Sequence, residues 1–172
     1  MMYYKHIEKY IKNCENDDVV TISILRARKQ IYVEISICNE TNNVSRSIVL
    51  KRDEVESLFD NIFDENKQPY SSKSKTRLCR ELKYSYNRRV YFKIDANGLL
   101  IELYINNKNV ERNKFITLET SLETFQVLYD IFMMNNVFNR MNNLCNEILE
   151  VKKAKPAIED HNDHYAHDLG RD

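Results

Sequence analysis

IYVEISICNETNNVSRSIVL, residues 31–50, is a stretch that the chain writes twice. Displaced by 68 positions, it lies without a gap on LLIELYINNKNVERNKFITL, residues 99–118. Glu34 meets Glu102, Asn39 meets Asn107 and Leu50 meets Leu118, and the apolar pairs Val33/Ile101, Ile35/Leu103, Ile37/Ile105 and Ile48/Ile116 coincide. A displacement of 70 carries the match upstream, where Val20, Ile22 and Ile24 meet Val90, Phe92 and Ile94, the difference being absorbed in a turn. Agreement of apolar phase over that length marks an internal duplication, and the repeated unit sets the fold.

The period of the apolar residues decides the kind of element. VVTISILR (19–26) and IYVEISI (31–37) alternate in and out and are rich in β-branched residues, which predicts a β-hairpin turning at Ala27–Gln30. SRSIVL (45–50) is a third strand. Asp53 suits a helix N-cap, and Val55, Leu58, Phe59 and Ile62 mark one face of a helix ending near Phe63, its acids gathered toward the N-terminus. In the second copy ELKYSY (81–86) adds a strand, RRVYFKID (88–95) follows, and Asn97-Gly98 signals a tight hairpin into LLIELYI (99–105). KFITL (114–118) is the counterpart of SRSIVL. Thr120 or Ser121 caps a helix carrying Leu122, Phe125, Leu128, Tyr129, Phe132 and Met133, and a further helix over 137–151 keeps Met141, Leu144, Cys145 and Ile148 on one side. At the N-terminus, Tyr4, Ile7 and Ile11, with Tyr3 and Tyr10, recur at three- and four-residue spacing, which predicts a short amphipathic helix.

The fold class is therefore α+β: two tandem β-β-β(-β)-α repeats, each an antiparallel sheet backed by a helix. The chain divides into an N-terminal helix (1–16), a first repeat (17–66), a basic linker (67–77), a second repeat with an extra helix (78–151) and a disordered tail (152–172). One repeat alone is marginal, because a domain of about 60 residues buries only about 60% of its unfolded surface. Two copies packed together remove that difficulty.

Composition narrows the function classes. No apolar run approaches the roughly 20 residues that span a bilayer, and the start MMYYKHIEKY lacks the apolar core of a signal peptide, so an intracellular, nuclear or cytoplasmic, protein is expected. Four cysteines lie far apart with no CxxC spacing and are expected as free thiols. No phosphate-binding glycine loop, dinucleotide fingerprint or zinc-protease motif is present, and His6 is the only histidine before the tail, so no enzyme and no cofactor is expected. Net charge is zero, but unevenly spread. Residues 19–52 carry six Lys/Arg against two acids, and 53–66 six acids and no base. Residues 76–118 carry nine bases against four acids, and 119–136 three acids and no base. With basic sheets and acidic helices, one side of the molecule can steer a polyanion in spite of the zero sum.

RSIVLKRDEVESLFDNI (46–62), preceded by KQIYVEISI (29–37), resembles the single-strand-binding domain of the transcriptional positive cofactor four family. Val33, Glu34 and Ile35 match its hairpin pattern, Arg46 to Leu50 its basic residue and short strand, and Asp53, Val55, Leu58 and Ile62 its helix. The match covers 19–63 closely and 88–133 more loosely. Ser47 and Phe115 replace the family's Gly, Arg52 its Pro and Val55 its helix Trp. That family supplies one unit per chain and pairs through its helices, so the resemblance implies an intramolecular pseudo-dimer, as in Pur-alpha-type repeats, and binding of single-stranded DNA or RNA.

The sheet face turned away from the helices is then the expected binding surface, with Tyr32, Tyr91, Tyr104 and Phe115 as stacking platforms. Arg26, Arg28, Lys29, Arg46, Arg88, Arg89, Lys93 and Lys114 are the expected backbone contacts. The same aromatics also serve as cross-strand pairs, and Lys or Arg in turns as solvated charge. Glu34 and Glu102 place acids within that surface. A protein-interaction module built on the same repeated fold is the alternative reading, and further self-association into a homodimer or higher oligomer stays open. His161, His164 and His167, beside Asp160, Asp163 and Asp168, could ligate Zn or Ni, or form an incidental polar segment of the tail.

Overall fold

The computed structural model describes residues 3–62, 78–85, 87–95, 98–105 and 114–154. Four strands, β1 (Lys5–Asn13), β2 (Asp18–Ala27), β3 (Gln30–Asn39) and β4 (Val44–Lys51), form an antiparallel meander, sheet I, and lead into α1 (Arg52–Ile62). Sheet II repeats the plan with β5 (Leu78–Ser85), β6 (Arg88–Asp95), β7 (Gly98–Ile105) and β8 (Lys114–Thr120), followed by α2 (Leu122–Met134) and then α3 (Val137–Ala154). The expected linker 67–77, the tail histidines and everything beyond Ala154 lie outside the described residues.

The N-terminal helix is the one element of the wrong kind in the sequence reading. Residues 5–13 are strand β1, paired with β2 from Lys5 opposite Arg26 to Asn13 opposite Val19. The reason is local. The ladder steps from His6/Leu25 to Glu8/Ile24, leaving Ile7 as the extra residue of a bulge. A bulge adds one residue to a period of two, so Ile7 and Tyr10, three apart, both pack against the core. Three-residue spacing in that stretch is a broken strand rather than a helix.

The two hairpins are superposable in register. Ala27 pairs with Gln30, and Asp95 with Gly98, so both turns hold two residues. Ile22/Ile35 and Ile35/Ile48 in sheet I answer to Val90/Leu103 and Leu103/Ile116 in sheet II, all at a displacement of 68. The displacement of 70 read from the sequence for β2 is thereby corrected, and no residue needs absorbing in the turn. A period-two pattern cannot see a two-residue slip, since both registers put the same residues inside. Gly98 serves the second hairpin: at φ +150 a Cβ there would lie 2.4 Å from the Thr120 carbonyl oxygen.

One continuous core joins the repeats. Val20, Ile22, Ile24, Val33, Ile35, Ile37, Ile48 and Leu50 of sheet I and Val90, Phe92, Ile94, Leu99, Ile101, Leu103 and Leu118 of sheet II belong to it, with the buried faces of α1, α2 and α3. Burying each such side chain contributes about 1.5–3 kcal/mol. Phe59 of α1 sits at the centre, its ring 5.8, 5.5, 4.8 and 5.7 Å from those of Phe125, Tyr129, Phe132 and Phe138. The helices cross over: α1 touches β5 and β6 as well as β3 and β4, α2 touches β1 and β2 as well as β7, and β4 touches β8.

The helix starts differ from expectation in the first copy and agree in the second. Asp53 is not the cap of α1. The Lys51 amide donates to Glu54 Oε1 at 2.8 Å, and Asp53 instead pairs with Arg52. Ser121 is the N-cap of α2, its hydroxyl accepting from the Thr124 amide at 3.1 Å.

Candidate nucleic-acid interface

The strand register divides each sheet into a face toward the helices and an outer face. On sheet II the outer face carries three cross-strand rows: Arg89, Tyr104 and Phe115; Tyr91, Glu102 and Thr117; Lys93, Leu100 and Glu119. Residues directly opposite have Cα atoms about 4.5–5.5 Å apart, so each row is a contiguous strip of side chains. Phe115 is 60% exposed, whereas Tyr91, Tyr104 and Lys93 are half-buried and Arg89 is exposed. Lys114 is exposed at the end of β8, but its register partner Ile105 packs against the core, so it stands beside this face and not on it. An exposed ring with cations beside it can stack on a base while the charges meet phosphate.

Sheet I does not repeat the surface. Tyr32, expected as an exposed platform, is 4% exposed. It packs with Leu25, Ala27, Val49 and Tyr4 in a second small apolar cluster, its ring edge-on to Tyr4 at 5.4 Å and its hydroxyl donating to Gln30 Oε1 at 2.9 Å. The remaining outer face is mostly small and polar: Thr21, Ser36, Ser45 and Ser47 alternate with the core residues, beside Glu34 and exposed Ile11. Arg26, Arg28 and Lys29 gather at the β2–β3 turn, where Arg28 has φ 59 and the Arg26 Nε donates to the Arg28 carbonyl at 3.1 Å.

Arg88, expected to contact a strand, is built into the protein. Its Nε donates to Glu54 Oε2 at 3.0 Å and its Nη2 to Glu54 Oε1 at 2.8 Å and to the Val49 carbonyl at 3.3 Å. Its side chain is 11% exposed and that of Glu54 1%. Burial by itself would push the guanidinium down, but the Glu54 hydrogen bonds and charge, helped by Tyr32 and Tyr4, outweigh it and raise the value.

A matching tie runs the other way. Asp18, the first residue of β2, is buried, and its carboxylate accepts from Thr124 of α2 and from Asn39, each at 2.8 Å. Asn16 closes the group by donating to Thr124 at 2.9 Å. The first turn of each helix is thus fastened to the first residue of the second strand in the other sheet. Asp18, Asn39, Glu54 and Thr124 carry no motif, and spacing alone offered no signal for bonds that span 21, 34 and 106 positions.

Arg46 also leaves the expected surface. It stands opposite Ile37 and therefore on the helix-side face, lining a cleft of about 320 Å³ between the end of sheet I and the start of α2. Its Nε is buried without a hydrogen-bond partner.

For other chemistry the described residues hold no group of three His, Cys, Asp or Glu able to bind a metal. Burial pushes the Cys14 and Cys145 thiols up, which disfavours a thiolate. No helix among the described residues is long and apolar enough to cross a membrane.

No family model and no curated protein sequence matches the chain. Among solved structures, WHY1 from Arabidopsis thaliana is similar at a TM-score of 0.38 and 13% identity, over 90% of this chain and 96% of that one. The plant transcriptional regulator PBF-2 is similar at a TM-score of 0.38 and 12% identity, over 96% of this chain and 97% of that one. Likeness at that level carries neither fold nor activity across.

Proposed function

We propose that the protein binds single-stranded nucleic acid, DNA or RNA, across the outer face of sheet II, in replication or transcription, without catalysing a reaction on it. The carrying observation is Phe115, a ring 60% exposed on a strand, opposite Tyr104 and in one row with Arg89. A base laid on that ring removes apolar surface from water, with Arg89 and Lys93 on the same face and Lys114 at its edge. Such stacking reads no sequence, because every base has a π-face. The surface is one-sided: sheet I, with Tyr32 interred, contributes hydroxyls and not rings.

The unit is a tandem form of the positive cofactor four type, its halves acting as an intramolecular pseudo-dimer. In support, equivalent elements meet one another and unlike elements meet reciprocally: β4 touches β8, while α1 reaches from its own sheet onto sheet II and α2 from its own onto sheet I. Phe59 and Tyr129, 70 residues apart and equally placed in their helices, are in ring contact. Self-contact of equivalent positions is the mark of a two-fold arrangement.

Fluorescence anisotropy of a labelled oligothymidylate at two salt concentrations tests the reading. If three cations each neutralise one phosphate, the single-strand slope of about −0.7 per contact predicts roughly twentyfold weaker binding between about 50 and 200 mM salt. Absence of binding at the lower salt rejects the proposal.

A further inference from the structure

The cleft of about 320 Å³ that Arg46 lines joins the two halves of the molecule. Its walls are Asn16 and Asn42 from the loops of sheet I, Asp18 and Asn39 at the ends of β2 and β3, Val44 and Arg46 of β4, and Glu119, Thr120 and Ser121 from the end of β8 into α2. Most of its polar groups already satisfy each other. Asp18 is taken by Asn39 and Thr124, Asn16 by Ser121, Thr124 and the Asp18 amide, and the Asn39 carbonyl by the amides of Thr41 and Asn42. Two charges are left over. Arg46 keeps a buried Nε with no acceptor. Glu119 is exposed and engaged by no hydrogen bond or ion pair among the described residues. Although they share the cleft, Arg46 and Glu119 do not pair with each other.

A buried donor without an acceptor costs free energy and marks a missing partner. With Asp18 and Glu119 against Arg46 the lining is net negative, so a phosphate is the wrong partner. A neutral group offering acceptors on one edge and donors on another fits. Guanine is such a group: O6 and N7 accept from an arginine, and N1–H and the N2 amino group donate to a carboxylate. Val44, 46% exposed, supplies an apolar wall for the ring.

We propose that this cleft receives one guanine base of a bound single strand, with Arg46 donating to its acceptor edge and Glu119 accepting from its donor edge. The inference rests on the single-strand binding proposed above, and the location supports it. Glu119 belongs by register to the outer face of sheet II, four residues along β8 from Phe115, a span of about 14 Å. A strand stacked on Phe115 is thus within reach of the cleft, and sequence-tolerant binding acquires one position of base preference.

The test compares oligothymidylate with the same oligomer carrying a single central guanine. Wild type should favour the guanine-containing strand by roughly tenfold, within the range one bidentate arginine–guanine contact supplies. Arg46→Gln should remove the preference, and Glu119→Gln should reduce it without weakening the binding of oligothymidylate, since it takes a negative charge off the same face. Equal affinity for the two strands, or a preference that survives Arg46→Gln, overturns the inference and leaves the single-strand reading intact. Failure of both strands to bind refutes the single-strand reading instead. The cleft is then tested by titrating guanosine, inorganic phosphate and glycine against backbone amide NMR shifts of Arg46 and Glu119. A response to guanosine that is lost in Glu119→Gln upholds base recognition. No response, or an equal one to phosphate or glycine, overturns it.

Discussion

Arg88→Met should unfold the protein more readily without any ligand being present. The substitution leaves Glu54, 1% exposed, as a charge with no cationic partner, retaining only the Lys51 amide on Oε1. Removing one member of a buried ion pair costs about 3–5 kcal/mol, a large share of the 5–15 kcal/mol that holds a domain together. With a urea m-value of about 2 kcal/mol/M, the midpoint should fall by roughly 2 M. The double variant Glu54→Leu with Arg88→Met should recover much of the loss, because apolar groups of like volume often replace a buried pair at little cost. Urea titration followed by circular dichroism on the wild type, both single variants and the double completes the cycle. If Arg88→Met costs less than about 1 kcal/mol, or the single losses simply add in the double, the tie between α1 and sheet II is not what the geometry implies.

Phe115→Ala should weaken single-strand binding by about 1–3 kcal/mol while leaving thermal stability within about 0.5 kcal/mol, since its ring is 60% exposed; anisotropy and melting on one preparation separate the two effects. Gly98→Ala should destabilise by about 1–3 kcal/mol or more, because φ +150 strains any Cβ and the new atom meets the Thr120 carbonyl; an unchanged urea midpoint would refute this. Stability should also depend on pH through the Glu8, Tyr10 and Arg140 group that fastens β1 to α3. Hydrogen bonds from Tyr10 and then Arg140 hold the Glu8 carboxyl below its ordinary 4.5, so its contribution is present above that value and is lost as the pH falls through the lower folded one. Burial, then Glu8, pushes Tyr10 up to about 12, so its contribution is complete below pH 10 and disappears as the pH rises toward 12. Melting temperatures of Glu8→Gln across both limbs should show the acid loss abolished and the alkaline loss reduced.

Much of the fold could be read in the residues because strands and helices announce themselves by period. Val20, Ile22 and Ile24, or Val55, Leu58, Phe59 and Ile62, need no partner to show which side is apolar. What escaped reading is what depends on counting or on distance. The bulge at Ile7 disguised a strand as a helix, and the two-residue ambiguity of a period-two pattern hid the true register of β2 on β6. The site suffered more. Tyr32 alternates as an outer-face residue should, yet the N-terminal Tyr4 covers it, and no local pattern states that a neighbour will lie there. Arg46 looked like surface charge because basic residues near turns usually are, whereas its parity with Ile48 and Leu50 assigns it to the inner face. Alternation gives the face of a residue. What lies above that face is settled by the rest of the chain.

The crossing of the helices has a consequence for how the polypeptide is made. Sheet I is finished once Lys51 has been added, yet α2, which lies on β1 and β2, ends only at Met134. Between the ends of α1 and α2 some 70 residues must still be synthesised, roughly 4–14 s at about 5–20 residues per second. For that interval the nascent chain carries a completed sheet whose apolar underside is only half roofed, so the growing polypeptide is most vulnerable to aggregation while its second half is still being translated.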